Sequence, residues 1–248
     1  MRMPFIAGNW KMFKTTAEAI SFAEKFISLY TPTDIKVAVF APYTQLSALV
    51  EAFKGTAVHV GAQNMHFEEE GAYTGEISPL MLKELGVTHC IIGHSERRQF
   101  FGEDDESCNK KLHSAFSHNI FPVFCIGENL EQREADNAFS VVEKQLVAGL
   151  KDISKDMLIR LTIAYEPVWA IGTGKTATPE QANEMCGFIR EQLILLYGDQ
   201  AADQVVIQYG GSVKPDNATD IMNMEEIDGA LVGGASLDPK SFMEIIDF

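Results

Sequence analysis

The feature that most constrains this chain is a series of eight short apolar runs, rich in valine, isoleucine and aromatics, separated by longer stretches with helical periodicity. The runs are Phe5–Asn9, Ile35–Ala41, Ala57–Ala62, Thr88–Gly93, Phe121–Ile126, Arg160–Tyr165, Gln204–Tyr209 and Gly229–Val232. Their interiors are nearly continuous in apolar character rather than alternating, the pattern of parallel strands covered on both faces. Between them lie helix signals. Thr178-Pro179-Glu180 supplies a cap, a first-turn proline and an acid ahead of Ala182–Tyr197, and Gly198 stops that segment. Lys214-Pro215-Asp216 and Asp238-Pro239 open short helices near the end. Eight strands, each followed by a helix, fit one α/β domain over residues 1–248, a closed (β/α)8 barrel. An open doubly wound sheet shares the alternation. No G-x-G-x-x-G follows the first run and no Ser/Pro-rich linker divides the chain, so the barrel is favoured.

Charge narrows the range of partners. With 20 Lys+Arg against 35 Asp+Glu the net charge is −15, a field that repels nucleic acid and anionic lipid. An anionic ligand would need positive charge gathered locally. The four cysteines form no C-x-x-C pair, and the six histidines have no zinc-ligand spacing, so neither a disulfide scaffold nor a metal site is expected. No stretch approaches membrane-spanning length, and Met1–Phe5 runs into the first strand without a signal core, so the expectation is a soluble cytoplasmic protein.

In a barrel the site lies at the C-terminal ends of the strands. The polar residues there are Asn9 and Lys11 after the first run, His94 after the fourth and Glu166 after the sixth. Glu166 as base, His94 as hydrogen-bond donor and Lys11 as fixed cation suit proton abstraction beside a carbonyl. A helix starting at Ser95-Glu96 would favour the uncharged His94 ring. Gly210-Gly211, followed by Ser212, and Gly233-Gly234 follow the last two runs, where glycine lets backbone N–H groups approach an anion. Either pair alone could equally be a tight turn. Gly172-Thr173-Gly174-Lys175-Thr176 looks like part of a P-loop, but the first glycine of that motif would fall at Trp169. The segment Pro167–Ala177 instead has the composition of a lid that excludes water, its tryptophan taken as exposed.

These motifs resemble the triosephosphate isomerase family. Asn9-Trp10-Lys11-Met12 is similar to its first-strand motif, Gly93-His94-Ser95-Glu96-Arg97-Arg98 to its histidine loop, and Ala164–Lys175 to its catalytic glutamate and lid. Tyr209-Gly210-Gly211-Ser212-Val213 and Leu231–Leu237 resemble its phosphate loops, so the likeness covers almost the whole chain. The resemblance implies a TIM barrel that interconverts dihydroxyacetone phosphate and glyceraldehyde 3-phosphate, a step of glycolysis and gluconeogenesis, with no cofactor or metal. It implies Glu166 as base, His94 as electrophile, Asn9 and Lys11 as substrate contacts, and Glu96, Ser95 and Cys125 behind them. Amides at Gly172, Ser212, Gly233 and Gly234 would hold the phosphate. The long segment Gln63–Pro79, containing Thr74-Gly75-Glu76, is similar to an interface loop that enters a neighbouring subunit beside Met12, which implies a homodimer. Phe13 departs from the asparagine the family often has there. A Schiff-base aldolase using Lys11 or Lys175, and a non-enzymatic phosphate-sugar binder, are the competing functions.

Overall fold

The computed structural model describes residues 2–171 and 176–248. Eight parallel strands close into one barrel in sequence order: β1 (Phe5–Asn9), β2 (Lys36–Ala41), β3 (Val58–Ala62), β4 (His89–Ile92), β5 (Phe121–Ile126), β6 (Thr162–Tyr165), β7 (Val206–Tyr209) and β8 (Gly229–Val232). The ring shuts where β1 pairs with both β2 and β8, with Ala7 beside Ala38 on one side and Leu231 on the other. This closure rules out the open sheet.

The strand bounds of β1, β5 and β8 fall where the sequence places them, and the others begin one or two residues later. The cause is visible at β6 and β7, where the preceding turn still holds the chain: Arg160 N donates to Met157 O and Gln204 N to Ala201 O. Gly93 falls outside β4 because its φ of +76° turns the chain out of the strand.

One helix per strand proves too simple. After β4 the chain forms Ser95–Phe101 and then Asp105–Ser117, divided at Gly102 with φ +66°. After β5 come Leu130–Glu134, Ala138–Gly149 and Lys155–Leu158. The helix signals themselves hold. Thr178 and Gln181 form a reciprocal cap on Pro179–Tyr197, and Asp238 accepts from Lys240 N and Ser241 N at the start of Pro239–Ile246. Among the described residues no helix is long and apolar enough to cross a membrane, and the four cysteines are free and buried.

Two cores result. An outer one lies between strands and helices. An inner one fills the barrel with Phe5, Ala7, Ala38, Phe40, Ile91, Val123, Cys125, Ala164 and Leu231. Layers alternate large and small: Gly61 leaves the volume that the Phe40 ring occupies. The strand interiors are not uniformly apolar, however. Lys36, His59 and His89 point into the lower end of the barrel, where the His59 and His89 rings lie 4.8 Å apart and Lys36 Nζ sits 4.5 Å from the Phe5 ring centroid.

Candidate active site

At the C-terminal ends of the strands a cavity of about 640 Å³ is lined by Asn9, Lys11, His94, Glu166, Ile171, Gly210, Gly211, Ser212, Gly233 and Gly234, among others. Sequence positions more than 200 residues apart meet there because the ring closes β8 onto β1.

His94 owes its orientation to the helix that starts one residue later. It is the cap of Ser95–Phe101, and its Nδ1 accepts the Glu96 amide hydrogen at 3.2 Å. A ring nitrogen that accepts carries no hydrogen, so the hydrogen resides on Nε2, which is 3.0 Å from Glu166 Oε1. The carboxylate of Glu96 stands 3.7 Å from Nδ1, but with that nitrogen bare it forms no ion pair there.

Glu166 is buried at the end of β6, its amide donating to Ile126 O at 2.8 Å. Oε2 accepts from Ser95 N at 2.8 Å, and Oε1 accepts from Ser95 Oγ at 3.2 Å as well as facing His94. Three donors thus offset the cost of burying the charge. A Cβ at Gly210 would lie 3.0 Å from Glu166 Cγ, so glycine leaves the glutamate room on its cavity side.

Lys11 adopts a left-handed backbone, φ +52°, uncommon for a residue with a side chain. Two bonds hold it there: its N–H donates to Asn9 Oδ1 at 3.0 Å and its carbonyl accepts from Gln63 Nε2 at 2.9 Å. Its Nζ reaches Glu96 Oε1 at 2.7 Å. With Oδ1 occupied, Asn9 has its NH2 end to offer a ligand. Cys125 lies in the inner core. Burial first, and then the Glu166 charge, push its thiol well above the usual range, so it is no nucleophile.

The two glycine pairs separate. At Gly211 a side chain would collide with the Tyr209 hydroxyl, and at Gly210 with Glu166, so this pair makes room for the protein's own groups. At Gly234 a Cβ would meet nothing within 4 Å, and at Gly233 only Lys11 Cε at 3.7 Å. That second pair opens onto the cavity beside a cation. Ser212 lines the same wall. Gly172, Gly174 and Lys175 lie outside the described residues.

Sequence reasoning passed over Glu128. Fully buried after β5, its Oε1 accepts from Trp169 Nε1 at 2.7 Å, Tyr165 OH at 3.1 Å and Arg133 Nη1 at 3.2 Å. Trp169 is therefore half-buried and anchored, not the exposed side chain its sequence context implied. The rule that singled out His94 and Glu166, a polar residue at a strand's C-terminal end, applied equally to Glu128.

On the far side of Lys11 and His94 a second cavity of about 400 Å³ is lined by Met12, Tyr43, Gln63, Asn64, Arg97 and Phe101 among others. Met12 is 93% exposed and Phe13 55%. Thr74, Gly75 and Glu76 form the exposed tip of the loop after β3, whose stem is set by His66 stacked on Phe67 and against Tyr73.

A family model described as triosephosphate isomerase matches residues 4–248. The chain is 54% identical over 247 residues to a protein named triosephosphate isomerase from Carboxydothermus hydrogenoformans, covering 99% of this chain and 98% of that one. It is 55% identical over 248 residues to the one from Clostridium botulinum strain Okra, covering all of both. To the Finegoldia magna protein of the same name it is 53% identical over 249 residues, covering 100% and 99%.

Proposed function

This chain belongs to the triosephosphate isomerase family, and on that premise we propose that Glu166, His94 and Lys11 carry its reaction. The protein is an isomerase that interconverts dihydroxyacetone phosphate and glyceraldehyde 3-phosphate, which sets aside the aldolase and the passive binder. Glu166 removes a proton from the carbon beside the carbonyl and returns it to the neighbouring carbon. To do so its carboxylate leaves Ser95 and swings past Gly210 into the cavity. The His94 Nε2–H donates to the oxygens of the enediolate, and the Lys11 ammonium balances the charge that develops there. Asn9 contacts the substrate, while the amides of Ser212, Gly233 and Gly234, joined by Gly172, hold the phosphate. Glu96 and Ser95 set the positions of Lys11 and Glu166. Water must be kept out, because an exposed enediolate would expel its phosphate.

The observation that carries this reading is the contact of Glu166 with the hydrogen-bearing nitrogen of His94, in one cavity with Lys11 and an open glycine pair. The test is Glu166→Asp, which withdraws the carboxylate by one methylene. The expected fall in kcat is about 100-fold or more with inhibition by inorganic phosphate intact. A native rate would overturn the assignment.

We also read the protein as a cytoplasmic homodimer. Exposed Met12 and Phe13 and the cavity beside them suit insertion of the Thr74–Glu76 tip of a second copy. Four free thiols suit a reducing compartment. Sedimentation at micromolar concentration gives a two-chain mass if this is right, and a single-chain mass if it is not.

A further inference from the structure

The phosphate reading leaves open what aims the amides of the Gly233 turn. After β8 the chain makes a short 3-10 turn, Gly234–Leu237, in which Ser236 is fully buried. Both donors of Ser236 converge on one acceptor: its N–H reaches Gly233 O at 2.9 Å and its hydroxyl reaches the same oxygen at 2.7 Å. Its own carbonyl accepts from Trp10 Nε1 of the β1 end at 3.2 Å. Behind it lies Gly8 in β1, where a Cβ would stand 2.8 Å from Ser236 Cβ and 3.1 Å from its Oγ. Ser236 therefore fits between the barrel wall and the turn only because position 8 carries no side chain.

Peptide planarity turns this into an aiming device. In a trans peptide the C=O of Gly233 and the N–H of Gly234 point in opposite directions. Two bonds that draw the carbonyl down toward Ser236 drive the N–H outward, to the side where Gly234 faces open cavity. We propose that Ser236, held by Trp10 and seated on Gly8, is a positioning residue for the substrate's phosphate, fixing the Gly233–Gly234 peptide so that its N–H meets the anion. Ser236 touches no substrate. The proposal rests on the triose phosphate reading above and adds to it a residue outside the cavity lining.

Removing the hydroxyl leaves Gly233 O with one bond and lets the peptide rotate. For Ser236→Ala the expected result is a KM for triose phosphate raised about 3- to 10-fold, the worth of one neutral hydrogen bond. The inhibition constant of inorganic phosphate rises in parallel, kcat stays within about twofold, and turnover of the same triose lacking its phosphate is unchanged. A role in general packing would instead lower both turnovers together, and that result overturns the proposal, as does a native KM. If Ser236→Ala does not fold, Ser236→Cys keeps the volume with a weaker donor. There a raised KM at native kcat supports the proposal and a native KM overturns it. Failure of the underlying reading looks different: the native enzyme would then show no phosphate inhibition of isomerisation at all.

Discussion

The two mouths of this barrel treat charge in opposite ways. At the C-terminal mouth the buried carboxylate and the cation beside it are compensated: Glu166 by Ser95 and His94, Lys11 by Glu96. At the N-terminal mouth three bases crowd together against Phe5 and Phe121, and no ion pair of the described residues includes them. Burial pulls the Lys36 amine down to about 8. Burial, then Lys36 and then His59, hold His89 well below its usual range, and His59 is lowered by burial and then Lys36. Within one fold, then, the polar groups proposed to meet a ligand are satisfied and held in place, whereas three bases at the other end are enclosed without an opposite charge, which makes all three harder to protonate. The upper mouth holds the site we propose for the chemistry, and the lower one carries an electrostatic cost that the rest of the core offsets.

The contrast is broken most forcefully by the same substitution at each end. Lys11→Met should lower kcat/KM by about 100- to 1000-fold, as loss of one charge-stabilising donor does. Lys36→Met should leave steady-state kinetics within twofold. Similar losses at the two positions would dissolve the distinction.

Next in size is Glu128→Ala, which removes a buried carboxylate that accepts from the Tyr165 hydroxyl, Trp169 Nε1 and Arg133. Chemical denaturation at fixed protein concentration should show a loss of about 3 kcal/mol.

At the lower mouth the signs run the other way. Lys36 has a folded value of about 8 against 10.5 ordinarily, so the unfolded chain takes up its proton first as pH falls and stability declines between those values. Below about 8 that loss is complete. A second decline begins as the unfolded histidines protonate below 6.5 while His59 and His89 resist. Lys36→Met should therefore gain about 1–2 kcal/mol at pH 7, discounting for its partial exposure, and flatten the alkaline slope. An unchanged slope would mean that Lys36 is not enclosed.

The smallest effect is expected at Arg2, which closes the lower end by reaching Asp228 at 2.5 Å and Asp203 at 2.7 Å. Arg2→Ala should cost about 1 kcal/mol, because Asp228 keeps its bonds to Arg190 and to Ile207 N.

The sequence was most informative where chemistry interrupts a pattern. Apolar runs followed by Asn9 and Lys11, by His94 or by Glu166 announce both the strand and its C-terminal end, so the barrel and the trio we propose as reacting follow from one rule. What it concealed was pairing across distance. Nothing in the spacing of Lys11 and Glu96, 85 residues apart, shows that their side chains touch. Ser236 lies in an ordinary Gly-Gly-Ala-Ser run, and the groups that seat it, Gly8 and Trp10, come from β1 and the residue just after it. His59 alternates between two valines, and the face it takes is settled only by closure of the ring. Glycine pairs are ambiguous for the same reason: Gly211 yields to Tyr209 and Gly234 to empty space, a difference of neighbours rather than of residue type.

The central claim is that a hydrogen passes between the two substrate carbons as a proton carried by Glu166. Isomerisation of dihydroxyacetone phosphate in deuterium oxide tests it most directly. The account predicts deuterium at C2 of the aldehyde product with the native enzyme, and loss of both incorporation and turnover in Glu166→Gln. Product free of deuterium together with sustained turnover by Glu166→Gln would contradict it, since the hydrogen would then have moved without visiting the carboxylate.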